Sequence, residues 1–97
     1  MSVTAYHFWS PTCAPCRAIK SSVDELKEEF SSVNWVSVNT QDDPASFAVT
    51  YNVRVVPTIV VVVRDDGQDV SVESHAGTSI MGYYRILRNA LKKLSSM

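Results

Sequence analysis

The stretch that most limits what this chain can fold into is "VVPTIVVVV", Val55 to Val63. A strand with one solvated face alternates apolar and polar residues, whereas Thr58 to Val63 is apolar almost without interruption. Such a strand has to be buried on both faces, in the middle of a sheet that helices cover. A membrane anchor is excluded: the run contains Pro57 and is far short of the roughly 20 residues that cross a bilayer.

The rest of the chain supplies the partners this strand requires. Val3 to Phe8 reads as a strand that stops at the turn formers Ser10 and Pro11. Ile19, Val23, Leu26 and Phe30 then recur at helical spacing with lysines and glutamates between them. This predicts one amphipathic helix from about Cys13 to Phe30, with Pro15 in a first turn where its missing N–H costs nothing. Val33 to Asn39 is a second strand by its β-branched content. Asp43 and Pro44 open a short helix expected over Pro44 to Tyr51. After the apolar run, Asp66-Gly67 is a two-residue hairpin signal that predicts an antiparallel strand over Val70 to His75. The last helix, about Ser79 to Leu94, is expected to lay Ile80, Tyr84, Leu87, Leu91 and Leu94 on the sheet.

The order strand, helix, strand, helix, strand, strand, helix describes a three-layer α/β sandwich. Its first two strands are parallel by the right-handed crossover rule. At 97 residues the chain is one domain, 1–97, with one modest core. Nine basic against ten acidic side chains, a net charge of −1, give no argument for nucleic acid or a membrane surface. The opening "MSVTAYHFW" has no basic segment followed by a long apolar run, so no secretory signal is read and a reducing cytosol is the expected location.

The only two cysteines, Cys13 and Cys16, lie in "FWSPTCAPCR", and three uses compete for them. As a structural staple they would close a four-residue loop, which contributes only about 2 kcal/mol in the chain-entropy treatment. Reducing compartments do not keep such a bond. As half of a zinc site they need about two more ligands, and only His7 and His75 are on offer. As a redox pair they use more of the surrounding sequence. A cysteine at a helix start has its thiolate stabilised by unpaired N–H groups and the helix dipole, and Cys13 is that residue. Cys16, one turn on and expected to be the more buried, is placed to resolve a mixed disulfide.

The chain resembles the thioredoxins. "FW", "SPT" and "CAPC" match their strand, tryptophan and C-x-P-C arrangement; "VVPTIVVV" matches the apolar residue, cis proline and threonine before their central strand, here Val56, Pro57 and Thr58. Gly77 in "HAGTS" falls where the family has a glycine between last strand and last helix. The resemblance implies a four-stranded mixed sheet in the order 2-1-3-4 with helices on both faces, short of the family's first strand and helix. It implies a redox-active disulfide between Cys13 and Cys16, with Cys13 as nucleophile. It also implies a docking groove built from Trp9, Thr12, Ala14, Pro15, Val56, Pro57 and Gly77, in which the Val56 backbone pairs with an extended substrate. No bound cofactor or metal is implied. Electrons would come from an external flavin-containing or ferredoxin-linked reductase, the substrates would be protein disulfides, and the protein would act as a monomer.

Three departures from the family pattern stand out. Thr12 replaces the tryptophan usually next to the first cysteine, Ser37 falls where a lysine is common, and His7 replaces a buried aspartate. Strand alternation puts His7 on the face opposite Tyr6 and Phe8, toward Cys16 if the family geometry holds. An isolated strand histidine is ordinarily a packed residue; here it is also a candidate acceptor for the Cys16 proton, with activity then expected to change between about pH 5 and 8. Two other functions are weighed: a glutaredoxin-like or oxidising thiol protein, and an interaction subunit whose thiols are dispensable.

Overall fold

The computed structural model describes residues 1–97. Strand β1 (Ser2–Trp9) leads through two helical pieces, α1 (Ala14–Ala18) and α2 (Lys20–Glu29), to β2 (Asn34–Asn39). A short α3 (Phe47–Thr50) precedes β3 (Thr58–Asp65), which turns into β4 (Gln68–Ala76), and α4 (Ile80–Ser95) closes the chain. The sheet order is β2-β1-β3-β4. β1 and β2 are parallel, and the β1/β3 and β3/β4 pairs are antiparallel.

Burial follows the apolar run. Ile59 to Val63 are all but sealed from solvent, and alternation divides them between two cores. Ile59, Val61 and Val63 join Val3 and Ala5 of β1 under α2 and α4, packed by Val23, Leu26, Tyr83, Ile86 and Leu87. Val60 and Val62 join Tyr6, Phe8 and Val38 in a smaller core on the α3 face. The hairpin forms where expected, with Asp66 at φ 54° and Gly67 at φ 79°.

Three expectations are corrected. The helix read as continuous from Cys13 to Phe30 is broken at Ile19, whose φ, ψ of −102°, 3° leave the helical range. The Ile19 N–H still bonds the Pro15 carbonyl and the Ile19 carbonyl still accepts from Val23. Because the ladder runs on either side of the bend, the side-chain spacing does not register it. The helix expected from Pro44 begins only at Phe47, because Ser46 takes a left-handed conformation at φ 58°. Asp43 nevertheless caps it, accepting the Phe47 and Ala48 N–H groups at 3.1 and 2.9 Å. On α4 the fully buried stripe is Tyr83, Ile86, Leu87 and Ala90, with Ile80, Tyr84, Leu91 and Leu94 only flanking it.

Candidate active site

The two cysteines sit where β1 ends. After Trp9 the chain makes a tight turn, in which the Cys13 N–H bonds the Ser10 carbonyl at 3.2 Å, and Cys13 becomes the cap of α1. Its extended backbone points the side chain over the helix start, where Sγ accepts the Cys16 N–H at 3.1 Å. Pro15 occupies the second helical position, so its missing donor leaves nothing unpaired. Cys13 and Cys16 are joined as a disulfide with Cα atoms 5.2 Å apart.

The expected difference in burial between them is not found. Cys13 is 8 % exposed and Cys16 7 %. Direction separates them instead: Cys16, and not Cys13, lines a pocket behind the disulfide.

His7 forms part of the same pocket, on the face opposite Tyr6 and Phe8, as alternation required. It is 8 % exposed, and neither ring nitrogen has a hydrogen-bond partner. Burial pushes its pKa down to about 4, Lys27 and Lys20 push the same way, and Asp24 opposes them. His7 is therefore neutral from pH 5 to 8, and its titration falls below the window its unperturbed value suggested.

Trp9 is half-buried and donates its indole N–H to the Ser37 hydroxyl at 2.7 Å. The serine that stands where a lysine is common thus fixes the tryptophan. Thr12, Ala14 and Pro15 are exposed around the cysteines, and the Thr12 hydroxyl accepts from Gln41 at 3.0 Å.

Across the sheet, Phe8 pairs with Thr58, so the loop before β3 lies at the same end as the cysteines. The Val56-Pro57 peptide is cis. Pro57 is buried, Val56 half-buried, and the Thr58 hydroxyl ties the loop to the Val55 carbonyl at 2.7 Å. Gly77, at φ 104°, donates its N–H to the Pro57 carbonyl at 3.0 Å, a backbone conformation that L side chains rarely adopt. Tyr83 was missed in the sequence. Its ring is fully buried in α4, and its hydroxyl reaches the carbonyls of Pro57, at 3.2 Å, and of Gly77. The spacing Tyr83, Ile86, Leu87, Ala90 was a helical stripe as regular as the one chosen.

A family profile described as Thioredoxin matches residues 3–84. The chain belongs to the thioredoxin family. Among curated thioredoxins it is 44 % identical to that of Pyropia yezoensis over 55 residues, covering 56 % of this chain and 50 % of the relative. It is 42 % identical to thioredoxin 1 of Synechococcus elongatus over 64 residues, 65 % of this chain and 57 % of the relative. The chain thus spans about half the length of the curated relatives it matches. The fold is that of Fasciola hepatica thioredoxin, with a TM-score of 0.76 at 24 % identity over 92 % of this chain and 81 % of that one. Mitochondrial thioredoxin 3 of Saccharomyces cerevisiae gives 0.75 at 19 %, over 91 % and 78 %. The Cys13–Cys16 pair and a cis-proline loop thus lie at one end of the sheet, and the pocket behind Cys16 is floored by an uncharged imidazole.

Proposed function

We propose that this thioredoxin-family chain reduces protein disulfides through its Cys13/Cys16 pair. The observation that carries the reading is the Cys13 sulfur at a helix start, accepting a backbone N–H, at the same end of the sheet as a loop whose Pro57 is held by Gly77 and Tyr83. In the reduced protein that N–H favours the Cys13 thiolate. The thiolate attacks one sulfur of a substrate disulfide; a Cys13–substrate bond forms, the substrate bond breaks, and the departing thiolate takes a proton from water. Cys16 then gives up its proton, in the end to water, and attacks the Cys13 sulfur; the Cys13–Cys16 bond forms, the Cys13–substrate bond breaks, and the second substrate sulfur leaves as a thiolate that takes a proton from water. Two electrons have passed to the substrate, and an external reductase supplying two electrons and two protons restores the dithiol.

Nothing in this cycle needs a bound cofactor, and the protein works in it as a monomer in a reducing compartment, the cytosol. No helix is long and apolar enough to cross a membrane. The Cys16→Ser variant tests the cycle: incubated with disulfide-bearing extract, it should accumulate mixed disulfides through Cys13 that the parent does not. No trapped species in Cys16→Ser, with the fold intact, would overturn the reading.

His7 enters as the acceptor for the Cys16 S–H. Being neutral, it can take that hydrogen bond without altering the charge around the thiols. Its low basicity keeps the gain below the usual acid–base range of about 100- to 10,000-fold, at about 10-fold on the resolving step. Because its pKa is about 4, parent and His7→Ala rates should run parallel, offset by that factor, from pH 5 to 8. Superimposed profiles would remove His7 from the mechanism.

A further inference from the structure

The pocket between α2 and the β1–β2 half of the sheet has a volume of about 460 Å³ and a lopsided chemistry. Arg17, Lys20 and Lys27 line it against a single acid, Asp24, in a chain whose net charge is −1. Asp24 is already committed to Lys20 at 3.1 Å. Lys27 has no carboxylate partner and lies over the Trp35 ring, 6.0 Å from its centroid. Arg17 spends one donor on the Pro11 carbonyl at 3.0 Å, and a guanidinium has five.

The floor carries a second and independent sign. His7 is more than nine-tenths buried, lines the pocket, and has both ring nitrogens without a partner. Buried polar groups in folded proteins are nearly always paired, so an imidazole of this kind calls for an occupant. A neutral imidazole offers one N–H to it. The wall is Trp9, held in place because the Ser37 hydroxyl takes its indole N–H. The volume falls in the range of small-molecule sites, about 300 to 1,000 Å³, well above what an inorganic ion fills.

We propose that this pocket binds a small organic anion, a carboxylate or sulfonate on a flat apolar body. The anionic oxygens meet Lys27, the cation that acts most strongly on His7, and accept the His7 N–H, while the body lies along Trp9 and Pro11 toward Arg17. The binding does not depend on thiol chemistry, and the oxidised protein is the form in which to test it. Benzoate is titrated into the oxidised protein at constant ionic strength, with neutral benzamide in parallel, while the ring resonances of His7 and the indole N–H of Trp9 are followed by NMR. Benzoate should move both sets along one saturable curve, and benzamide should move neither. Lys27 is half-buried, and losing one cation near the surface is worth about 5-fold in affinity, so Lys27→Gln should weaken benzoate by at least that order. Lys92→Gln, on the far part of α4, should leave the curve unchanged. Shifts that do not saturate, that benzamide reproduces, or that survive Lys27→Gln undiminished would overturn the proposal and leave the pocket filled by water only. Because the oxidised chain has no free thiol, neither outcome bears on disulfide reduction.

Discussion

A histidine cut off from water keeps its proton only in media more acid than its ordinary range, and His7 makes this a matter of stability. Burial comes first among the causes, followed by Lys27, with Asp24 opposing and Lys20 adding to the effect; the result is a pKa of about 4 against an unperturbed 6.5. Between those values the unfolded chain binds the proton and the folded one does not. The contribution is therefore complete above pH 6.5 and is lost as pH falls toward 4, by roughly 3 kcal/mol in all. Urea unfolding of the parent and of His7→Leu at pH 7 and pH 4 should show the parent losing about that much more than the variant. Equal losses would mean that the folded imidazole titrates near its ordinary value. At this scale the sequence was legible in part. Alternation placed His7 on the correct face, but its neutral state depends first on its burial and then on lysines thirteen and twenty positions away, and both come only with the packing of α2. The tyrosine pair shows the same limit: Tyr83 and Tyr84 fit a buried stripe equally well, and the choice is made by the Pro57 and Gly77 carbonyls above Tyr83.

The packing of α4 on β4 depends on an absent side chain. His75 lies edge-on to the Tyr83 ring, with centroids 5.0 Å apart, and a Cβ added at Gly82 would overlap the His75 imidazole. Helix propensity alone would favour alanine at this position by about 1 kcal/mol, yet here overlap decides the sign. Gly82→Ala should destabilise by about 1 to 3 kcal/mol. Combining it with His75→Ala should recover part of that loss in a double-mutant cycle, since the obstructing ring is then gone. Additive effects would show that the two residues do not meet. Other element-scale features divide in the same way. The Asp66-Gly67 turn was legible because its chemistry is local and needs φ above zero at both positions. The bend at Ile19 and the left-handed Ser46 were not, because no glycine or proline marks either position.

At the scale of the whole molecule, local rules gave two of the three strand pairings: the crossover set β1 parallel to β2, and the hairpin set β3 against β4. The antiparallel β1/β3 pairing that completes the sheet came from the family resemblance, since nothing in either strand names the other. That pairing brings the cysteine turn and the Pro57 loop to one end of the sheet, while the main core lies along β1 and β3 under α2 and α4. The cysteine pair and the bulk of the core thereby lie at different places along the sheet. The bond from Cys13 to Cys16 closes so short a loop that it contributes about 2 kcal/mol, against a typical domain stability of 5 to 15 kcal/mol. Unfolding by denaturant with and without a strong reductant should therefore give one cooperative transition in both cases, about 2 kcal/mol weaker in the reduced form. A reduced protein that is unfolded in the absence of denaturant would mean that the disulfide is a staple after all, and that the core around β1 and β3 cannot hold the fold without it.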